Sequence, residues 1–350
     1  MAEISEKSFG RTLKGAEARL YTLTNKNGME VDITDFGGTI VSIRIPDKAG
    51  HMTDVVLGHD NLSDYETGEG YLGALIGRHG NRIEKARFTL NGKVYPLYAN
   101  DGSNHLHGGK EGFDHKIWES RITDGSLLLH YLSPDGEEGY PGNLDVTVIY
   151  SLDDENSLTI DYQAQTDADT VCNLTNHTYF NLDGCESGPV LNQKIRLFAD
   201  AYTVADSESL PNGEIAPVEG TPMDLREPTL IGAHIDDGFE QLRFAGGYDH
   251  NWIINGEPDT LRPMAQAHAA HTGIHLYAYS TTPGVQFYAG NFLKENTPGK
   301  YGKTYGKRWG FCLESQFYPN ALEHPAFPQP VLKKDEHYHQ VTVFRFQTEH

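Results

Sequence analysis

The chain has 350 residues, enough to bury a large core, and 49 acidic against 28 basic side chains leave a formal charge of -21. Such a balance lacks the basic footprint that nucleic acid or an anionic membrane surface requires, so neither partner is expected and a neutral or cationic small molecule fits better. The charged first twenty residues (Glu3, Glu6, Lys7, Arg11, Lys14, Glu17, Arg19) and the lack of any apolar run near ~20 residues argue against a signal peptide and a membrane helix, so a non-secreted protein is expected. The three cysteines, Cys172, Cys185 and Cys312, form neither an even disulfide framework nor a close-spaced zinc motif, which points to a reducing, cytoplasmic setting.

Period-two alternation predicts strands in chain order at Val41, Ile43 and Ile45, at Leu127, Leu129 and Tyr131, from Leu144 to Leu152, and from Leu158 to Ala164. A further strand is expected near residues 340–346, beyond Pro325, Pro328 and Pro330. Turn signals separate these runs: Asn27-Gly28, Asn91-Gly92 before Lys93-Val-Tyr95, Asp124-Gly125, and residues 134–136 and 153–157. The one helical candidate, residues 224–231, is broken by Pro228, and no glycine-rich phosphate loop follows a strand. Many short strands with tight turns and no linker predict an all-β protein, a sandwich or barrel, as one domain over residues 1–350.

The chemistry-bearing residues fall in short motifs. Residues 77–83 (Gly-Arg-His-Gly-Asn-Arg-Ile) offer two guanidiniums and an amide, suited either to surface acids or, through the planar fork, to sugar hydroxyls. His105-Leu-His107 followed by Gly108-Gly109, with Glu111 four residues on, resembles half of a cupin metal motif, although no second half follows. His177, within Asn-His-Thr-Tyr-Phe-Asn-Leu at 176–182, and Glu314, within Leu-Glu-Ser-Gln-Phe-Tyr-Pro-Asn-Ala at 313–321, are the leading acid and base. Their ordinary pKa values near ~6.5 and ~4.3 let one hold a proton while the other lacks it. Tyr248-Asp249-His250-Asn251-Trp252 and Gln286 add polyol-binding chemistry: carboxylate and amide acceptors beside aromatic faces.

In order, spacing and wording, the motifs at 77–83, 104–109, 176–182, 248–250 and 313–321 resemble the aldose 1-epimerase (galactose mutarotase) family over nearly the whole chain. The resemblance implies a large antiparallel β-sandwich, the galactose mutarotase-like supersandwich, with a concave face that binds a free aldose and needs neither cofactor nor metal. It further implies Glu314 as base and His177 as acid, with Asn81, Arg82, His107, Asp249 and Gln286 positioning the sugar. The pair would take the proton from the anomeric hydroxyl while protonating the ring oxygen, so that the ring opens and recloses as the other anomer. His79-Gly80 depart from the hydrophobic or aromatic residue and alanine more usual there, but leave Asn81-Arg82 intact. Because hexose-phosphate epimerases and sugar-binding sandwich domains share this fold, they remain the alternatives, with a metal-dependent cupin-like enzyme as the third.

Overall fold

The computed structural model describes residues 2–349, and they are organised by three antiparallel sheets. A five-stranded meander runs through Glu3–Arg11, Glu17–Thr24, Glu30–Thr34, Ile40–Pro46 and Met52–Asp54. A nine-stranded sheet is centred on the long strand His337–Thr348, which lies between Ser157–Thr166 and Ile274–Ser280. A six-stranded sheet sets Asp249–Ile253, Gly284–Tyr288 and Phe311–Gln316 side by side.

The period-two patterns specify which face each sheet buries. Along Leu144–Leu152 the residues Leu144, Val146, Val148, Tyr150 and Leu152 are buried, while the intervening positions are partly or fully exposed. These side chains share one apolar cluster with Val31, Ile33 and Ile43 of the meander and with Val285, Phe287 and Leu313 of the six-stranded sheet. Each such side chain contributes about 1.5–3 kcal/mol on burial, and a one-residue slip of any strand would turn its set outward. This shared core makes the all-β sandwich expected from the sequence.

Local signals mostly translate as expected. Asn91 and Gly92, at φ 51° and 75°, turn the hairpin between Arg87–Leu90 and Lys93–Pro96 in the primed geometry that matches strand twist. Residues 224–231 are not helical; Pro228 denies the segment a helical amide, and only Thr229–Leu230 pairs, with Lys194 and Ile195. Two helices lack a sequence signal, Leu62–Thr67 and Glu240–Ala245, each six residues long and too short to display a helical period. Asn61 caps the first, accepting from the Asp64 amide at 3.1 Å, and Gly246, at φ 63°, ends the second.

Candidate active site

The site grows from the register of three strands. Asn251, Gln286 and Glu314 are direct cross-strand partners, as are Asp249, Tyr288 and Cys312. Because side chains alternate across a strand, these six residues share one face, while Trp252, Val285, Phe287 and Leu313 occupy the other and enter the core. All three strands are almost wholly buried, so the polar face does not meet bulk water. It forms the floor of a recessed site.

Loops supply the remaining groups. Tyr179 pairs with Cys312 at the sheet edge, which brings the preceding His177 over the floor. The His177 backbone is held on both sides, its amide donating to Ala74 O at 2.9 Å and its carbonyl accepting from Gly73 at 3.0 Å. Asn176 fastens the same loop by donating to Gly73 O and accepting from the Thr178 amide. His107 enters at φ 51° beside Asn81 at φ 65°. The next residue, Gly108, must be glycine: a Cβ there would lie 1.9 Å from the Gly77 carbonyl oxygen.

A cavity of about 140 Å³ is walled by Asn81, Arg82, His107, His177, Asp249 and Glu314, together with Tyr71, Leu106, Tyr179, Tyr288 and Phe292. It shares Tyr71, Arg82, Leu106, Tyr179, Tyr288 and Phe292 with an adjoining outer groove of about 620 Å³. His177 Nε2 lies 3.6 Å from Glu314 Oε1, and both side chains are at most 5% exposed. The His177 ring lies against Tyr71, Tyr179 and His107, with its Nδ1 3.6 Å from Cys312 Sγ. Arg82 Nε donates to Asp101 at 2.8 Å, and the amide of Gln286 donates to Asp249 at 2.7 Å. Gln286 shares that floor without lining the cavity, and its hydrogen bond orients the Asp249 carboxylate.

Burial sets the electrostatics. Desolvation pushes the Glu314 carboxyl well above its ordinary range, Asp249 adds to this, and Arg82 opposes it; one carboxyl oxygen, Oε2, has no partner among the described residues. Burial likewise raises Asp249, against Arg82 and the Gln286 hydrogen bond. It lowers the His177 imidazole to about 4 and holds His107 well below the ordinary imidazole value. The order expected from free residues, in which glutamate ionises before imidazolium does, is therefore inverted for His177 and Glu314. The reason is that burial penalises either charge.

The two other candidate groupings come apart. Arg78, the second guanidinium of its motif, is buried against Ser133 and the Pro134 and Pro141 carbonyls and holds backbone together. His105 is turned away from His107: one ring nitrogen meets Tyr98 O and the other the Tyr140 hydroxyl, each at 2.7 Å. Glu111 pairs instead with Lys14 at the surface, so the cupin-like ligand set is not assembled. His79 packs fully buried, with its imidazole lowered to about 3 by desolvation. Tyr71, in the wall, and Asp101, which holds Arg82, lie outside every motif and carried no sequence signal; Tyr179 lies inside the motif at 176–182, and Tyr288 two residues beyond Gln286.

The fold agrees with the comparisons. Residues 19–345 match the aldose 1-epimerase family, and the chain belongs to that family. It is 42% identical over 346 residues, 99% of each chain, to the galactose mutarotase of Bos taurus. To the aldose 1-epimerase of Escherichia coli K12 it is 38% identical over 337 residues, 95% of this chain and 96% of that one. Among solved structures, the galactose 1-epimerase of Lactobacillus acidophilus superimposes over 100% of both chains with a TM-score of 0.88 at 28% identity.

Proposed function

We propose that the protein is a mutarotase that interconverts the α and β anomers of free aldoses such as D-galactose and D-glucose, with Glu314 as base and His177 as acid. The observation that carries this reading is the 3.6 Å approach of His177 Nε2 and Glu314 Oε1 inside one buried cavity. The anomeric hydroxyl and the ring oxygen are bonded to the same carbon. A base and an acid that serve both must therefore sit close together and face one small volume.

Glu314 takes the hydroxyl proton as His177 gives one to the ring oxygen; C1–O5 breaks and C1=O forms. Rotation about C1–C2 presents the other carbonyl face, and the reverse transfers close the ring. Ring opening converts a carboxylate–imidazolium pair into a carboxyl–imidazole pair; both hold the same single proton, burial makes the second the resting form, and the first is the minor, more reactive tautomer from which the ring opens. Burial, which destabilises the charged form, makes the carboxylate a stronger base and the imidazolium a stronger acid for that step. His107, kept neutral by burial, hydrogen-bonds the oxygen on which charge develops; Arg82, Asn81 and Asp249 engage the hydroxyls, and Gln286 holds Asp249. Tyr71, Tyr179 and Tyr288 close the walls against water.

Among the described residues, Arg82, tied to Asp101, is the only Lys or Arg in the cavity wall, which favours an uncharged sugar over a hexose phosphate. Polarimetry of freshly dissolved α-D-galactose and α-D-glucose tests the proposal. Faster approach to the same final rotation, lost in Glu314→Gln, supports it; no acceleration with either sugar sinks it.

A further inference from the structure

The strand Phe311–Gln316 meets both nitrogens of the His177 ring. Cys312 and Glu314 are two residues apart on it, so their side chains emerge on the same face about 7 Å apart. The imidazole stands between them: Nε2 is 3.6 Å from Glu314 Oε1, and Nδ1 is 3.6 Å from Cys312 Sγ. The backbone pairing of Tyr179 with Cys312 delivers the ring to this place. One register therefore fixes the base and the thiol relative to the acid.

We propose that Cys312 is a positioning residue for His177: its sulfur accepts the Nδ1 proton and holds the imidazole in the tautomer that leaves Nε2 free to carry the exchanging proton. Its catalytic consequence rests on the reading of His177 as the acid of a mutarotase.

The proton count favours that tautomer at every stage. In the resting carboxyl–imidazole pair, a proton on Glu314 Oε1 faces Nε2, which then presents its lone pair, and the ring proton falls to Nδ1. In the carboxylate–imidazolium pair, Nε2 gains the proton that the sugar ring oxygen receives, while Nδ1 keeps its own. The Nδ1 proton is never exchanged, so the group beside it is needed only as an acceptor. With the ring proton on Nε2 instead, the donor would be a neutral imidazole, a far weaker acid than imidazolium.

Sulfur suits the position. Burial pushes the Cys312 thiol well above its ordinary range, so it stays uncharged. A carboxylate against Nδ1 would stabilise the imidazolium, whereas a neutral sulfur, a weak acceptor, orients the ring and leaves the imidazolium a strong acid. Cys312 is fully buried in an apolar cluster with Leu72, Tyr179 and Tyr288, and among the described residues Nδ1 is the hydrogen-bond partner of its sulfur. The backbone of His177 itself also favours the charged ring, but its carbonyl already accepts from the Gly73 amide at 3.0 Å.

Heteronuclear NMR of protein carrying nitrogen-labelled histidine, recorded without sugar, tests the assignment. Wild type is compared with Cys312→Ala and Cys312→Ser, and the His177 ring signals are identified by their loss in His177→Gln. Wild type should hold the ring proton on Nδ1, Cys312→Ala should move a share of it to Nε2, and Cys312→Ser, which keeps an acceptor, should return it. Unchanged signals from the other histidines report that the variants fold. In polarimetry, Cys312→Ala should lower kcat by about two- to tenfold with KM unmoved, the worth of one weak hydrogen bond, and Cys312→Ser should recover most of it. A ring proton on Nε2 in wild type, an unchanged tautomer in Cys312→Ala, or a kcat that Cys312→Ser does not recover would each overturn the proposal. A wild type that exchanges no anomers would sink the mutarotase reading, while the spectrum still decides whether Cys312 orients His177.

Discussion

The backbone amide of Asn81 donates to Nδ1 of His107 at 3.1 Å, from a residue that is itself in left-handed conformation. This single bond decides which way a neutral imidazole can act: with Nδ1 accepting, the proton sits on Nε2 and His107 is a donor. His107→Phe keeps a ring of similar bulk and removes that donor. The expected loss is about 10²–10³ in kcat, as when one donor to a developing oxyanion is removed. Steady-state polarimetry reads it, and a loss confined to KM would instead make His107 a ground-state binding group.

Glu314→Gln and His177→Gln should each lower kcat by about 10²–10⁴ while galactose binding, followed calorimetrically, persists. The double variant should be little worse than either single one, because the two proton transfers belong to one step. Fully additive losses would mean that the two residues act separately.

The pair works only while it holds one proton, so the pH profile is bell-shaped, with limbs assigned in reverse of the free residues. Adding a second proton protonates both members, and burial, which lowers His177 to about 4, places that acid limb far down. Removing the last proton empties the pair, and the rise in Glu314 moves that limb upward from the carboxylate range. Activity is therefore lost below about pH 4 and again on the alkaline side. An acid limb near ~6.5, the ordinary imidazole value, would contradict this account.

Away from the site, Lys300 is a stability element. Its ammonium, 3% exposed, donates to Asp54 Oδ2 at 2.5 Å, Val41 O at 2.8 Å and Ser42 Oγ at 3.1 Å. Lys300→Ala leaves the Asp54 carboxylate buried without its cation and should cost about 3–5 kcal/mol. Urea denaturation measures it; a change under about 1 kcal/mol would show that Asp54 is rehydrated or neutralised at little cost.

Much of this protein was legible in local patterns. The alternation of Leu144 to Leu152, the Asn91-Gly92 turn and the uniformly β character depend on near neighbours, and the structure carries each of them. The short helices Leu62–Thr67 and Glu240–Ala245 were not legible, since six residues display less than two helical turns. The same limit hid Tyr71 in the wall and Asp101, which holds Arg82, because both lie on loops that no periodicity describes.

The sequence by itself determined the fold class, the family wording and the identity of the groups in the site, because side-chain chemistry and strand periodicity are local properties. Only the tertiary structure decided what those groups became. Cross-strand register put Glu314 beside Gln286 and under His177, while hydrogen bonds to Pro141 and Tyr140 drew Arg78 and His105 away from Arg82 and His107. Burial then inverted the proton affinities of the acid and base. Both outcomes arise from contacts between segments far apart in the chain and from the exclusion of water, which no stretch of sequence carries alone.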